Sequence, residues 1–206
     1  MIPVLLSLLL WAQPAATALA MHERFAFAAL VRDSLVQGNL SRARNYATLY
    51  SYDGLFEDTG PAEMNRLNAV AEADSISEAA QILGEVAVLC GSCHAASDVH
   101  DGKPEDYPPM GSNLLARMGR HVWAAERLWD GLVWKSDASW LAGSAALGLD
   151  PFLTPAVELR GLEGRLSVVQ KLAAEARGQT GWPDRADVYA RFLGSCAECH
   201  RVYESR

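Results

Sequence analysis

Two five-residue stretches carry the reactive groups of this 206-residue chain: Cys-Gly-Ser-Cys-His at 90–94 and Cys-Ala-Glu-Cys-His at 196–200. Each sets two thiols three residues apart and places an imidazole directly after the second. On a helix, positions i, i+3 and i+4 share one face, so Cys90, Cys93 and His94 would converge, as would Cys196, Cys199 and His200. Two thioethers to neighbouring vinyl groups on the edge of a flat macrocycle, plus an imidazole for its iron, need this spacing. It is the C-x-x-C-H attachment signature of c-type haem. The two motifs use all four cysteines of the chain, which leaves no thiol for a separate disulfide or nucleophile.

Other uses of such residues fit less well. A thioredoxin-type C-x-x-C pair belongs to a βαβ unit, and no alternating β pattern appears in this sequence. Two C-x-x-C pairs with histidines can form a structural zinc site, but those sit on short Gly-rich knuckles rather than at the ends of long amphipathic segments. A chance pair of structural cysteines does not account for a following histidine on both occasions. The expected cofactors are therefore two covalently bound haem c groups, with His94 and His200 as iron ligands.

The elements that must position these residues read as helices. Met21, Phe25, Ala28, Val31 and Leu35 recur at helical period before Gly38-Asn39, and Asn39 can cap a second helix with Leu40, Ala43, Ala47 and Tyr50 on one face. Pro61 suits the first turn of a third helix bearing Met64, Leu67 and Ala71. Ser75 and Glu78 form a capping-box pattern ahead of a fourth, whose stripe of Ala79, Ile82, Leu83 and Val86 runs into Cys90 and Cys93. After a Pro-, Gly- and Asp-rich linker over 95–112 the pattern restarts with Met118, Val122, Ala125, Leu128 and Leu132, accompanied by Trp123, Trp129 and Trp134. Ser136 caps a short helix holding Trp140. A long helix with Leu159, Leu162, Leu166, Val169 and Ala173 ends at Gly178. Pro183 opens a last one with Val188, Phe192, Cys196 and Cys199 in line. The tryptophans are read first as core, with flanking of a haem as the other use.

The restart is an internal repeat. At an offset of 97 residues Met21 matches Met118, Phe25 matches Val122, Ala28 matches Ala125, Asp33 matches Asp130, and Leu35-Val36 matches Leu132-Val133. His94 and His200 are 106 apart, so the second copy holds nine more residues. The expected fold is all-α: two tandem four-helix-bundle-like units, over 21–106 and 107–206, each ending in C-x-x-C-H.

Composition narrows the partners. The formal net charge is −7, which argues against nucleic acid. Residues 21–106 hold 6 Lys or Arg against 14 Asp or Glu, a net of −8, whereas 107–206 hold 12 against 11, a net of +1. This polarity suits a redox partner with a basic docking face, although an acidic face also serves solubility alone. Residues 1–20 read as a signal peptide. The apolar run from Ile2 to Trp11 is too short to span a bilayer, and Ala18-Leu19-Ala20 is a small-x-small cleavage site. No Lys or Arg precedes the run, so retention as an anchor is the alternative. No other segment is read as membrane-spanning, and the expected location is exported and periplasmic.

A four-helix unit with C-x-x-C-H near the end of its last helix resembles the class II c-type cytochromes, the cytochrome c-prime group. The resemblance rests on helix order and motif placement in both units. It implies that His94 and His200 are proximal ligands and that the distal side of each haem faces the first helix of its unit. Some members of that group leave the distal site open to small gases, and others fill it with a first-helix methionine. Met118 and His121, at i and i+3 on the right helix, are candidate distal ligands here, and Met21 is a third. Arg24 occupies the place of His121 in the first unit. The leading expectation is periplasmic electron transfer without substrate chemistry, not an enzyme. The alternatives are haem-based binding or sensing of carbon monoxide or nitric oxide, and a small haem redox enzyme.

Overall fold

A computed structural model describes residues 21–52, 62–99, 111, 114–149 and 163–204, and among them every regular element is helical. Helix α1 covers 21–36. It is followed by α2 (Leu40–Tyr52), a 3-10 helix (Ala62–Glu72), α3 (Ile76–Ala96), α4 (Leu114–Val133), α5 (Asp137–Leu149), α6 (Glu163–Gly178) and α7 (Trp182–Glu204). The expected signal segment, most of the linker, and Leu159 and Leu162 lie outside the described residues.

The boundaries follow local hydrogen bonding. Asn39 caps α2 by accepting the Arg42 N–H at 2.9 Å. Ser75 accepts the Glu78 N–H at 3.1 Å, and the Glu78 carboxylate reaches back to the Asp74 N–H at 2.7 Å, one residue before the one a regular capping box would use. Ser136 accepts the Ser139 N–H at 3.2 Å. The ends of α1 and α4 are built alike. Asn39 N–H bonds Ser34 O at 2.9 Å and Ser136 N–H bonds Gly131 O at 3.0 Å, with Gly38 (φ 73°) and Lys135 (φ 49°) in the left-handed conformation between. The third segment, expected as an ordinary helix, is wound in the tighter 3-10 form over 11 residues.

One hydrophobic core draws on both halves of the chain. Trp129, Trp140, Tyr189 and Phe192 are its largest fully buried side chains, each worth about 2–3 kcal/mol of transfer free energy by area. Trp140 also donates its Nε1–H to Ala176 O at 2.8 Å, tying α5 to α6. Helices α3 and α7 cross where a Cβ on Gly84 would stand 2.9 Å from Ala186 O. The 106-residue spacing of the two motifs carries these two residues to Ala190 and Ala80, both buried and both small. Helix α1 joins α4 through Phe25 and Trp129, with ring centroids 6.3 Å apart, and α2 through Phe27 and Tyr50 at 6.0 Å.

Two expectations need correction. By length and composition alone α3 is apolar enough to cross a membrane, whereas the sequence reading placed no membrane-spanning segment there. Here Ala79, Ala80, Leu83, Gly84, Val86 and Ala87 of α3 are buried in the core. Phe25 and Val122, placed on the core stripe by periodicity, are 38% and 51% exposed. For Val122 the reason is that it faces a cavity rather than packed atoms.

Candidate functional site

The second motif lies in the closing turns of α7, where Cys196, Cys199 and His200 line a cavity of about 550 Å³, within the usual size range of cofactor pockets. Helix α4 contributes Met118, His121, Val122 and Ala125, so both candidate distal residues reach the same cavity as His200. Leu166 and Val169 of α6 and Val36 at the end of α1 extend the apolar lining. Two cations stand in this wall. Arg32 is buried and pairs with Asp33 at 2.9 Å and with Glu126 of α4 at 3.8 Å, while Arg165 pairs with Glu198 at 3.1 Å. Burial pushes the Cys196 thiol up to about 12, with Cys199 acting the same way, and burial also raises Cys199. In the unligated polypeptide these groups are therefore protonated thiols at neutral pH rather than reactive thiolates.

The first motif closes α3, and its surroundings differ. Burial pushes Cys90 up to about 11, Cys93 adds to the rise, and Arg24 opposes it. A Cβ on Gly91 would fall 2.2 Å from Leu132 O, so the motif approaches α4 as only glycine allows. His94 Nδ1 lies 2.8 Å from Val133 O. A carbonyl can only accept, so Nδ1 carries the proton and Nε2 presents its lone pair. Metal-binding histidines are commonly held this way, by a hydrogen bond from the nitrogen that does not ligate. Val133 is the last residue of α4, and its carbonyl is one of those left without an intrahelical partner. The Trp134 ring stacks on the same imidazole, with centroids 4.3 Å apart and planes inclined by 16°.

Arg24 is buried in α1 at the position that matches His121, and its charge acts on both Cys90 and the Tyr50 hydroxyl. A guanidinium keeps its protons and cannot bind iron. Met21 is half-buried in the first turn of α1. His22, one residue on, is exposed.

The arrangement crosses the repeats over. Gly91 of the first motif rests on Leu132 of α4 and Lys135 just beyond it, while Ala197 of the second rests on Gly38 just beyond α1, whose Cβ would stand 3.2 Å from Ala197 O. At the repeat offset Leu132 and Lys135 match Leu35 and Gly38. Each motif thus leans on the first helix of the other copy. The sequence comparison had marked Leu35-Val36 and Leu132-Val133 as equivalent but gave no sign that these ends support the motifs, nor that Trp134 meets His94. Among the described residues no group of three His, Cys, Asp or Glu side chains is placed to hold a metal ion. Comparisons of the chain with family models, curated proteins and solved structures find no match.

Proposed function

We propose that the chain is a di-haem c-type cytochrome that carries electrons outside the cytoplasmic membrane, with one haem bound through Cys90, Cys93 and His94 and the other through Cys196, Cys199 and His200. The observation that carries the reading is the cavity at the second motif, in which two thiols and an imidazole on one helix share a mostly apolar space with Met118 and His121. The haem iron supplies a one-electron ferric–ferrous couple, tuned by axial ligands, burial and nearby charge. The chain's own residues do the rest. Val133 fixes the proton on His94 Nδ1, Leu166 and Val169 would exclude water from the cavity at the second motif, and Arg32 and Arg165 would offer charge to the macrocycle's carboxylates. In this reading the copies over 21–106 and 107–206 are tandem four-helix units like those of the cytochrome c-prime group. Residues 1–20 direct export to the periplasm, and the acidic first copy meets a redox partner through a basic face.

Mass spectrometry of the chain made with a c-type maturation system tests this directly. The product weighs two haems more than its polypeptide, and both resist acid–acetone extraction. A product with one haem, or with extractable haem, overturns it. A second reading, small-gas binding at the first site, is favoured by one observation: Arg24 stands where the second site has His121, so only Met21 remains as a distal ligand in α1.

A further inference from the structure

His94 is held on two sides by the end of α4. Val133 O accepts its Nδ1–H at 2.8 Å, and Trp134 covers its ring face-on at 4.3 Å and 16°. The hydrogen bond sets the direction of Nδ1 but leaves the ring free to rock about it. The flat indole removes that freedom, because rotating the imidazole would drive its edge into the tryptophan face. A well-aligned bond to a carbonyl makes the other nitrogen the stronger donor, and a stronger axial donor favours ferric over ferrous iron. At the second site the position of Trp134 is taken by Gln37 of the first copy, which lines the cavity with His200 and has no aromatic face.

We infer that Trp134 is a positioning residue that locks the His94 imidazole and holds the first haem at a lower reduction potential than the same ligand set would have without it. This rests on the haem reading above. It makes the two centres unequal through the chain's own residues, so that an electron arriving at the first is passed on more readily.

The test is a spectroelectrochemical titration of the full chain with both haems attached. The potentials are assigned by repeating it on C196A/C199A, which keeps only the first site, and on C90A/C93A, which keeps only the second. Trp134→Gln is expected to shift the first-site equilibrium about tenfold towards the ferrous form, which is 59 mV for a one-electron couple, and to leave the second-site potential in place. Trp134→Phe, which keeps a ring against the imidazole, stays close to wild type. An unchanged first potential in Trp134→Gln overturns the inference, as does an equal shift in Trp134→Phe. Should Trp134→Gln lose the first haem, Trp134→Phe and Trp134→Tyr decide. Retention by both with near-native potentials supports the lock, and loss from both shows Trp134 to be core filling and overturns it. Wild-type chain without thioether-bound haem refutes the cofactor reading itself, a result separable from all of these.

Discussion

At the first motif a glycine packs onto the end of α4, an indole covers the imidazole, and a buried arginine stands at the matching distal position. At the second an alanine packs onto Gly38, Gln37 takes the place of the indole, and His121 with Met118 shares the cavity. The cysteines and histidines are spaced identically in both. What differs comes from positions 21–38 in one copy and 118–135 in the other: the helix-end supports are supplied crosswise, whereas Arg24, Met118 and His121 serve the motif of their own copy. On the proposed reading, a duplicated motif gives two centres set apart by the helices around them.

Removing the cysteines of one motif gives the largest expected effect. C90A/C93A and C196A/C199A should each lose one haem by mass and keep the other. Loss of both from either variant would show that the crossed supports make the sites interdependent. Carbon monoxide titration of the reduced protein addresses the distal side. Wild type should bind about one ligand per two haems, and Met118→Ala, His121→Ala or the double variant should raise this towards two. No binding in wild type would mean that Met21 caps the first iron, and the contrast with the second would disappear.

Packing supplies the next contrast. Gly91→Ala places a methyl against Leu132 O and should cost about 1–3 kcal/mol in chemical denaturation. Ala197→Gly, at the matching position, should cost about 1–2 kcal/mol through helix propensity and the loss of a buried methyl. Equal losses would mean that the two contacts are equally close.

In the haem-free polypeptide, Cys90 rises to about 11 and Cys196 to about 12 from an ordinary thiol value of 9.0. A group whose folded pKa is raised adds stability below its unfolded pKa and loses it as pH climbs to the folded one. Denaturation midpoints of the haem-free chain should therefore fall between about pH 9 and 12. The attached form, whose thioethers do not titrate, should lack this component.

The smallest effect is expected at the matched left-handed residues. Lys135→Gly should stabilise by about 1 kcal/mol or less, because relief of the backbone strain is offset by lost contact of its side chain with Gly91 and Trp182. Gly38→Ala should destabilise by a similar amount.

Helix order and helix ends were legible because they depend on neighbours in sequence. Asn39, Ser75 and Ser136 cap where their side chains can reach the first free N–H groups, and the apolar stripes of Val31–Leu35 and Leu128–Leu132 are buried. The motifs were legible because their spacing is itself a local geometry. The 3-10 winding of 62–72 was not, since apolar residues three apart fit either helix over so short a length. Nor were the partners of the motifs. A repeat says which residues are equivalent, and equivalence is silent on whether Gly91 meets Leu132 of the other copy or Leu35 of its own. Trp134 was counted among core tryptophans, as Trp129 and Trp140 are, because only the fold brings it to His94, 40 positions earlier.

The crossed supports also set a timetable for the growing chain. The first motif leaves the ribosome some 40 residues before the helix end that steadies its histidine, and the second is finished last, onto the helix made first. Neither motif can be clasped by its support until most of the polypeptide exists. On the proposed reading, an attachment machinery that acts on extended chain after export would have to meet both motifs before α7 closes on α1.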